Sequence, residues 1–225
     1  MKNVFIVIAA YNEEKSIRNV IQELKKANYN NIVVVDDGSR DSTFKILEEE
    51  NVNALRHPIN RGQGAALKTG IDYAREQGAD IIVTFDADGQ HRVEDLPAML
   101  KPVQDGSVDV SLGSRFLKNE SNVPLFRKVF LKGGALSIWA LYGIRLTDSH
   151  NGFRAMNMRA AESIEMVADK MEHASEILEQ IKKKELRYVE VPVIIKYTDY
   201  SLKHGQSTLN GFRILSKMIF RKLVK

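Results

Sequence analysis

The 225-residue sequence has no cysteine, which excludes a disulfide framework and a thiolate zinc site and fits a reducing compartment. It also lacks an apolar run long enough to span a bilayer. The apolar stretch before Tyr11 is too short for a signal peptide and leads straight into Asn12-Glu13-Glu14. Internal repeats and low-complexity linkers are absent. Five histidines, His57, His91, His150, His173 and His204, show no zinc-ligand spacing, and only His91 borders a candidate metal motif. Gly62-x-Gly64 lacks the third glycine of a dinucleotide fingerprint and reads as a tight turn. What remains is 44% hydrophobic and 28% charged, the composition of one soluble domain expected in the cytoplasm.

Charge is unevenly placed. From Lys182 onward eleven cations face three carboxylates, a net +8 against +4 for the whole chain. An anionic partner for the C-terminal end is the expectation. Arg213, Lys217, Arg221 and Lys225 recur every fourth residue among Leu215, Met218, Ile219 and Phe220. That pattern predicts a basic amphipathic helix over 209–224, suited to an anionic membrane surface or, more simply, packed on the domain. Arg127, Lys128 and Lys132 lie among Leu125, Phe126, Phe130, Leu131 and Trp139 and form a second such stretch. Nucleic acid is a weaker candidate partner and is not expected.

Short β-branched runs alternate with helical periodicity. Strands are predicted at 4–10, 31–35, near 54–55, at 81–85 and at 108–112, with helices at 15–27, from 41, from 61 to 77 and over 93–100. This rhythm implies an α/β fold with a mostly parallel sheet covered on both faces. The second half predicts a helix at 124–142 broken at Gly133-Gly134, another at 174–184 and a strand at 188–197. Met156, Met158, Met166 and Met171 read as core filler.

Three predicted strands end in polar clusters: Ala10-Tyr11-Asn12-Glu13, Asp36-Asp37, and Asp86-Ala87-Asp88-Gly89-Gln90. Ligands collect outside the carboxyl ends of parallel strands. An Asp-x-Asp there offers two hard oxygens to a divalent cation, with Gln90 as a possible third ligand, and such a cation commonly carries substrate phosphates. Tyr11 can stack on a base and Asp37 can accept hydrogen bonds from a base or ribose. The clusters together describe a nucleotide pocket; singly, each reads as a polar turn.

Tyr11-Asn12-Glu13-Glu14, Val34-Val35-Asp36-Asp37-Gly38-Ser39-x-Asp41-Ser42-Thr43, Asn60-x-Gly62-x-Gly64-Ala65-Ala66 and Asp86-Ala87-Asp88-Gly89-Gln90-His91 occur in this order. As a set they resemble the glycosyltransferase family 2 signature on the GT-A fold. Gly113-Ser114-Arg115, Asn151-Gly152-Phe153-Arg154 and Glu190-Val191-Pro192-Val193 are similar to the polyprenyl-phosphate branch, which includes dolichol-phosphate mannose synthase, in a subgroup without transmembrane helices. The resemblance implies one GT-A domain: a nucleotide-sugar half at 1–115, an acceptor half at 116–205 and a membrane- or partner-facing tail at 206–225. It places Ala9, Tyr11, Glu13, Val35 and Asp37 on the nucleoside, and Asp86, Ala87 and Asp88 on the diphosphate with Mg²⁺ or Mn²⁺ and Gln90. Arg115 would face the phosphates. Arg127 and Arg154 would meet the acceptor phosphate, and Glu176 would stand near the reaction centre, so that Asp88, Arg115 and Glu176 form the implied catalytic set. One departure is Lys203-His204-Gly205-Gln206-Ser207-Thr208, where the family reads Arg, then Gly-x-Ser-Lys; Lys203 can stand in for the missing arginine. Some relatives work with a small integral membrane protein.

The expected activity is inverting transfer of a hexose or N-acetylhexosamine from a nucleotide-sugar, a UDP-sugar on the subgroup resemblance, to polyprenyl phosphate at the cytoplasmic membrane face. A phosphate monoester is largely ionised at pH 7 and attacks without a base. Transfer to a glycan hydroxyl is the alternative and would need Glu176 as general base. A nucleotide-sugar-binding module without catalysis is the third reading.

Overall fold

The computed structural model describes residues 2–118, 125–149 and 151–196. The predicted 209–224 helix and Lys203 lie outside the described residues. Strand β1 (Val4–Ala10) pairs in parallel with β2 (Ile32–Asp36) and β4 (Ile81–Thr84), and β2 pairs in parallel with β3 (Asn53–Arg56). β5 (Val110–Ser114), β6 (Arg154–Asn157) and β7 (Tyr188–Pro192) complete a seven-stranded sheet in the order β3-β2-β1-β4-β6-β5-β7. Only β6 runs antiparallel, between β4 and β5.

Alternation within β1 builds the core on both faces, because successive side chains point to opposite sides of a strand. Ile6, Ile8 and Ala10 join a cluster with α1 (Ile17–Lys26), α2 (Thr43–Glu49) and α4 (Leu96–Gln104). Phe5 and Val7 join the opposite cluster with α3 (Gln63–Glu76), α6 (Met158–Ser163) and α7 (His173–Lys183). Met156 and Met166 are buried in that second layer, as filler should be.

Four features differ from the sequence expectation. α5 (Leu125–Tyr142) runs unbroken through Gly133-Gly134. Ala135 and Ile138, both buried, anchor it, and that packing outweighs the roughly 1 kcal/mol that each glycine costs a helix. β7 stops at Pro192, four residues after Tyr188, instead of reaching residue 197. Beyond it the chain crosses to the 90–95 loop, where Ile194 N donates to Asp95 Oδ2 (2.9 Å) and Lys196 N to Gln90 O (2.9 Å). β5 is shifted by two residues, so that Arg115 leaves the sheet at its carboxyl edge. Finally, β6 and α6 had no counterpart in the sequence expectation. Among the described residues no helix is long and apolar enough to cross a membrane.

Candidate active site

β2, β1 and β4 are neighbours in the sheet, so their polar ends meet at one edge. β6 runs the other way, which brings its first residue, Arg154, to that same edge. The turns after β1 and β2 are laced together by the side chains of the Asp36–Thr43 motif. Ser39 Oγ accepts from Asn12 N (2.9 Å), Thr43 Oγ1 from Glu13 N (2.8 Å) and Asp41 Oδ2 from Glu14 N (3.2 Å). Ser39, Asp41 and Thr43 therefore tie the two turns together. Tyr11 stands 42% exposed at the mouth. Ala9 is half-buried, whereas Val35 is fully buried between its neighbours in the sheet and presents no surface to a ligand.

Asp37 is 2% exposed. Its Oδ1 accepts from Arg61 N (3.0 Å) and faces His57 Nδ1 at 2.7 Å, and its Oδ2 accepts from Gly62 N (2.6 Å). Asp37 thus pins the turn that opens α3. The same turn is held from the acceptor half, where Ala65 N donates to Asp169 O (3.0 Å). A Cβ at Gly64 would sit 2.1 Å from Ala168 O, so this turn needs glycine for close backbone approach. Glu176 explains the placement of that facing loop: its Oε2 accepts from Val167 N (3.0 Å) and Ala168 N (2.9 Å).

Asp86 and Asp88 follow β4. Asp86 Oδ2 lies 2.8 Å from His91 Nε2, and Oδ1 accepts from Gln63 Nε2 (3.3 Å). Behind it, a Cβ on Gly152 would fall 2.6 Å from Oδ1, so any side chain there would displace the carboxylate. Burial pushes the Asp86 carboxyl up, but His91 and the Arg154 guanidinium outweigh it and hold the group below its usual range. Asp88 is raised by burial and by the charge of Asp86, and its oxygens accept from the backbone N (2.9 Å) and side-chain Nε2 of Gln90. Glu13 is raised too, by burial and by Asp88, Asp41 and Asp86, although Ser16 Oγ donates to it (2.7 Å). Glu13, Asp86 and Asp88 are thus drawn to one edge, and two of the three, Glu13 and Asp88, resist ionisation.

Arg154 is 2% exposed, and burial pushes it down to about 10 against the pull of Asp86 and Asp148. Its Nη1 finds no hydrogen-bond partner among the described residues. His173, at the start of α7, is pushed down to about 4 by burial and by Arg154, and is neutral at pH 7. Arg154 and His173 are therefore the buried support of Asp86. Arg115 is 7% exposed, with Nε 2.5 Å and backbone N 3.2 Å from Asp148 Oδ2. Asp148 is placed by Glu190 on β7, whose Oε1 accepts from Asp148 N (3.1 Å) and Thr147 N (2.9 Å). Beside this pair lies a groove of ≈ 530 Å³ lined by Phe116, Lys132, Leu136, Trp139, Arg145 and Thr147. The Arg145 guanidinium stacks 5.2 Å from the Trp139 ring. Arg127 lies on α5; its side chain is outside the described residues.

The structure thus brings Glu13, Asp86 and Asp88 to one edge with Arg154 behind them. Asp37 and Glu176 instead hold the α3 turn from its two sides. His57, Gln63, Asp148 and His173 were not legible as site residues, because their partners are remote in sequence.

The glycosyl transferase family 2 profile matches residues 5–165. The chain belongs to glycosyl transferase family 2. It is 40% identical to a UDP-N-acetylglucosamine–dolichyl-phosphate N-acetylglucosaminyltransferase of Methanococcus voltae, over 100% of this chain and 98% of that protein. A dolichol-phosphate mannosyltransferase of Pyrococcus furiosus is 32% identical over 92% of this chain and 59% of its own length. In three dimensions the chain superposes on glucosyl-3-phosphoglycerate synthase of Mycobacterium tuberculosis, in complex with Mn²⁺, UDP and glucosyl-3-phosphoglycerate. The TM-score is 0.72 at 15% identity, over 99% of this chain and 79% of that one. The family 2 fold here is GT-A, and the chain is a glycosyltransferase.

Proposed function

We propose that this glycosyltransferase moves a hexose or N-acetylhexosamine from a UDP-sugar to a polyprenyl phosphate, with inversion, while resting on the inner face of the cell membrane. The observation that carries the acceptor is the groove beside Arg115 and Asp148. It offers apolar surface from Phe116, Leu136 and Trp139 together with the cations Lys132 and Arg145, the chemistry of an anionic lipid headgroup with an attached chain. The donor class is supported by the relative in Methanococcus voltae, whose name specifies UDP-N-acetylglucosamine and dolichyl phosphate.

The residues fit a divalent cation. Among the described residues no three His, Asp or Glu side chains gather tightly enough to hold one alone, so Asp86, Asp88 and the Gln90 carbonyl would share it with the substrate diphosphate. Bound there, Mg²⁺ or Mn²⁺ would neutralise charge developing on the leaving nucleoside diphosphate. Tyr11 and Asp37 hold the nucleoside, with Ala9 and Glu13 lining its pocket and Ala87 carrying the Asp-x-Asp turn. Arg154 supplies counter-charge to Asp86 from behind. Arg115, Arg127 and Lys203 orient phosphate, since guanidinium suits bidentate phosphate contacts. A phosphate acceptor attacks the sugar C1 without a general base, and this agrees with Glu176, whose Oε2 is committed to two backbone amides. The 1–115 half then contributes the donor site and the 116–205 half the acceptor site. The basic tail, alone or with a small membrane subunit, supplies the contact with anionic lipid.

The test is incubation of purified protein with Mn²⁺, labelled UDP-sugars and vesicles carrying undecaprenyl or dolichyl phosphate. The expected product partitions into the organic phase and releases its sugar in mild acid. Label appearing only in water-soluble glycan would overturn the lipid acceptor.

A further inference from the structure

We propose that His57 is a positioning residue for nucleobase choice, acting through Asp37; this rests on the nucleotide-sugar reading above. A carboxylate has about four lone-pair sites. Three of those on Asp37 are engaged, by His57 Nδ1 (2.7 Å) and Arg61 N (3.0 Å) on Oδ1 and by Gly62 N (2.6 Å) on Oδ2. One site, on Oδ2, carries no partner among the described residues. Asp37 is 2% exposed, so its orientation is set by these partners and not by solvent. A fixed acceptor suits a base with a ring N–H, uracil or guanine, and disfavours cytosine, whose ring nitrogen at that position is itself an acceptor. Sites built around one hydrogen bond reject analogues that leave it unmade.

His57 fixes which oxygen remains. It is 8% exposed, with Nε2 3.0 Å from Thr69 Oγ1 on α3. The Asp37 carboxylate only accepts, so the imidazole proton on that side sits on Nδ1, and Nε2 faces the Thr69 hydroxyl oxygen. Thr69 Oγ1 donates to Ala65 O (3.0 Å), so the ring packs against a hydroxyl that is itself fixed to the first turn of α3. With the ring clamped, Asp37 cannot swing Oδ2 out of the base plane. Without it, Oδ1 keeps only the Arg61 amide, and the carboxylate is held by two contacts instead of three.

The experiment is titration calorimetry of UDP and of CDP, each with Mn²⁺, on wild type and on His57→Leu, His57→Asn and Thr69→Val, with thermal melting to confirm folding. Asn places an amide N–H where Nδ1 stands, whereas Leu fills the space without donating. Wild type is expected to prefer UDP over CDP by at least about 10-fold. His57→Leu should weaken UDP about 10-fold and leave CDP unchanged, His57→Asn should stay within about 2-fold of wild type, and Thr69→Val should fall between. In turnover, His57→Leu should raise KM for the donor with kcat nearly unchanged. Equal losses for UDP and CDP, equal losses in Leu and Asn variants, or no base preference in wild type would each overturn the role of His57. Wild type that binds neither nucleotide would overturn the nucleotide-sugar reading itself, and this inference with it.

Discussion

Replacing Asp148 by Ala should destabilise the protein and disarm Arg115 together. Asp148 is 3% exposed and Arg115 7%, and both the Nε and the backbone N of Arg115 rest on one oxygen of Asp148. Removing one member of a buried pair strands the other charge, at a cost of about 3–5 kcal/mol. For a domain near 200 residues, about 2–4 °C of Tm accompanies each kcal/mol, so a fall on the order of 10 °C is expected. Glu190 widens the effect, since the 147–148 turn that it cradles would lose one of its anchors. The double variant Arg115→Met with Asp148→Leu removes both charges and should recover most of the stability, but none of the transfer activity. Melting curves and denaturant midpoints on wild type and these two variants make the comparison. A loss of under 2 °C in Asp148→Ala, or a double variant no more stable than the single, would refute the buried-pair reasoning.

Three further outcomes follow from other parts of the chain. Gly152→Ala should cut turnover by at least about 10-fold while shifting Tm little, because the new methyl lands on Asp86 Oδ1; steady-state kinetics beside a melt separates the two effects. Glu176→Gln should keep turnover within about 3-fold, since the amide oxygen can still accept from Val167 N and Ala168 N; a loss above about 100-fold would restore Glu176 as general base. Asp109, buried at the start of β5, is held down to about 2 by the Arg187 side chain and backbone and by Asn157. Its folded value is depressed, so its stabilisation is present above the unfolded value near 3.8 and is lost as pH falls toward 2. Arg187 is half-exposed, which limits the contribution to about 1 kcal/mol; Asp109→Asn should show a correspondingly shallower acid transition between pH 4 and 2.

The central strands were legible because β1, β2 and β4 are covered on both faces and so read as unbroken apolar runs that end abruptly in carboxylates. The Asp-x-Asp turn announced itself for the same reason. β6 did not: Arg154-Ala155-Met156-Asn157 has no alternation, and its antiparallel pairing depends on β4 and β5, remote in sequence. Its discovery changes the reading of Arg154, which sits behind Asp86 with little surface for an acceptor. Glycines misled in the opposite sense, since Gly133-Gly134 looked like a helix break and is carried by burial of Ala135 and Ile138. His57, Asp148 and His173 have no local signature, because each acquires its partner only when distant elements pack.

The most direct measurement is nucleoside diphosphate release by the purified chain, with Mn²⁺ and UDP-sugars, in paired reactions with and without a polyprenyl phosphate in anionic vesicles. The account predicts release that depends on the lipid phosphate and disappears in Asp88→Asn. Release at equal rates in both arms, or release that survives Asp88→Asn, would contradict it.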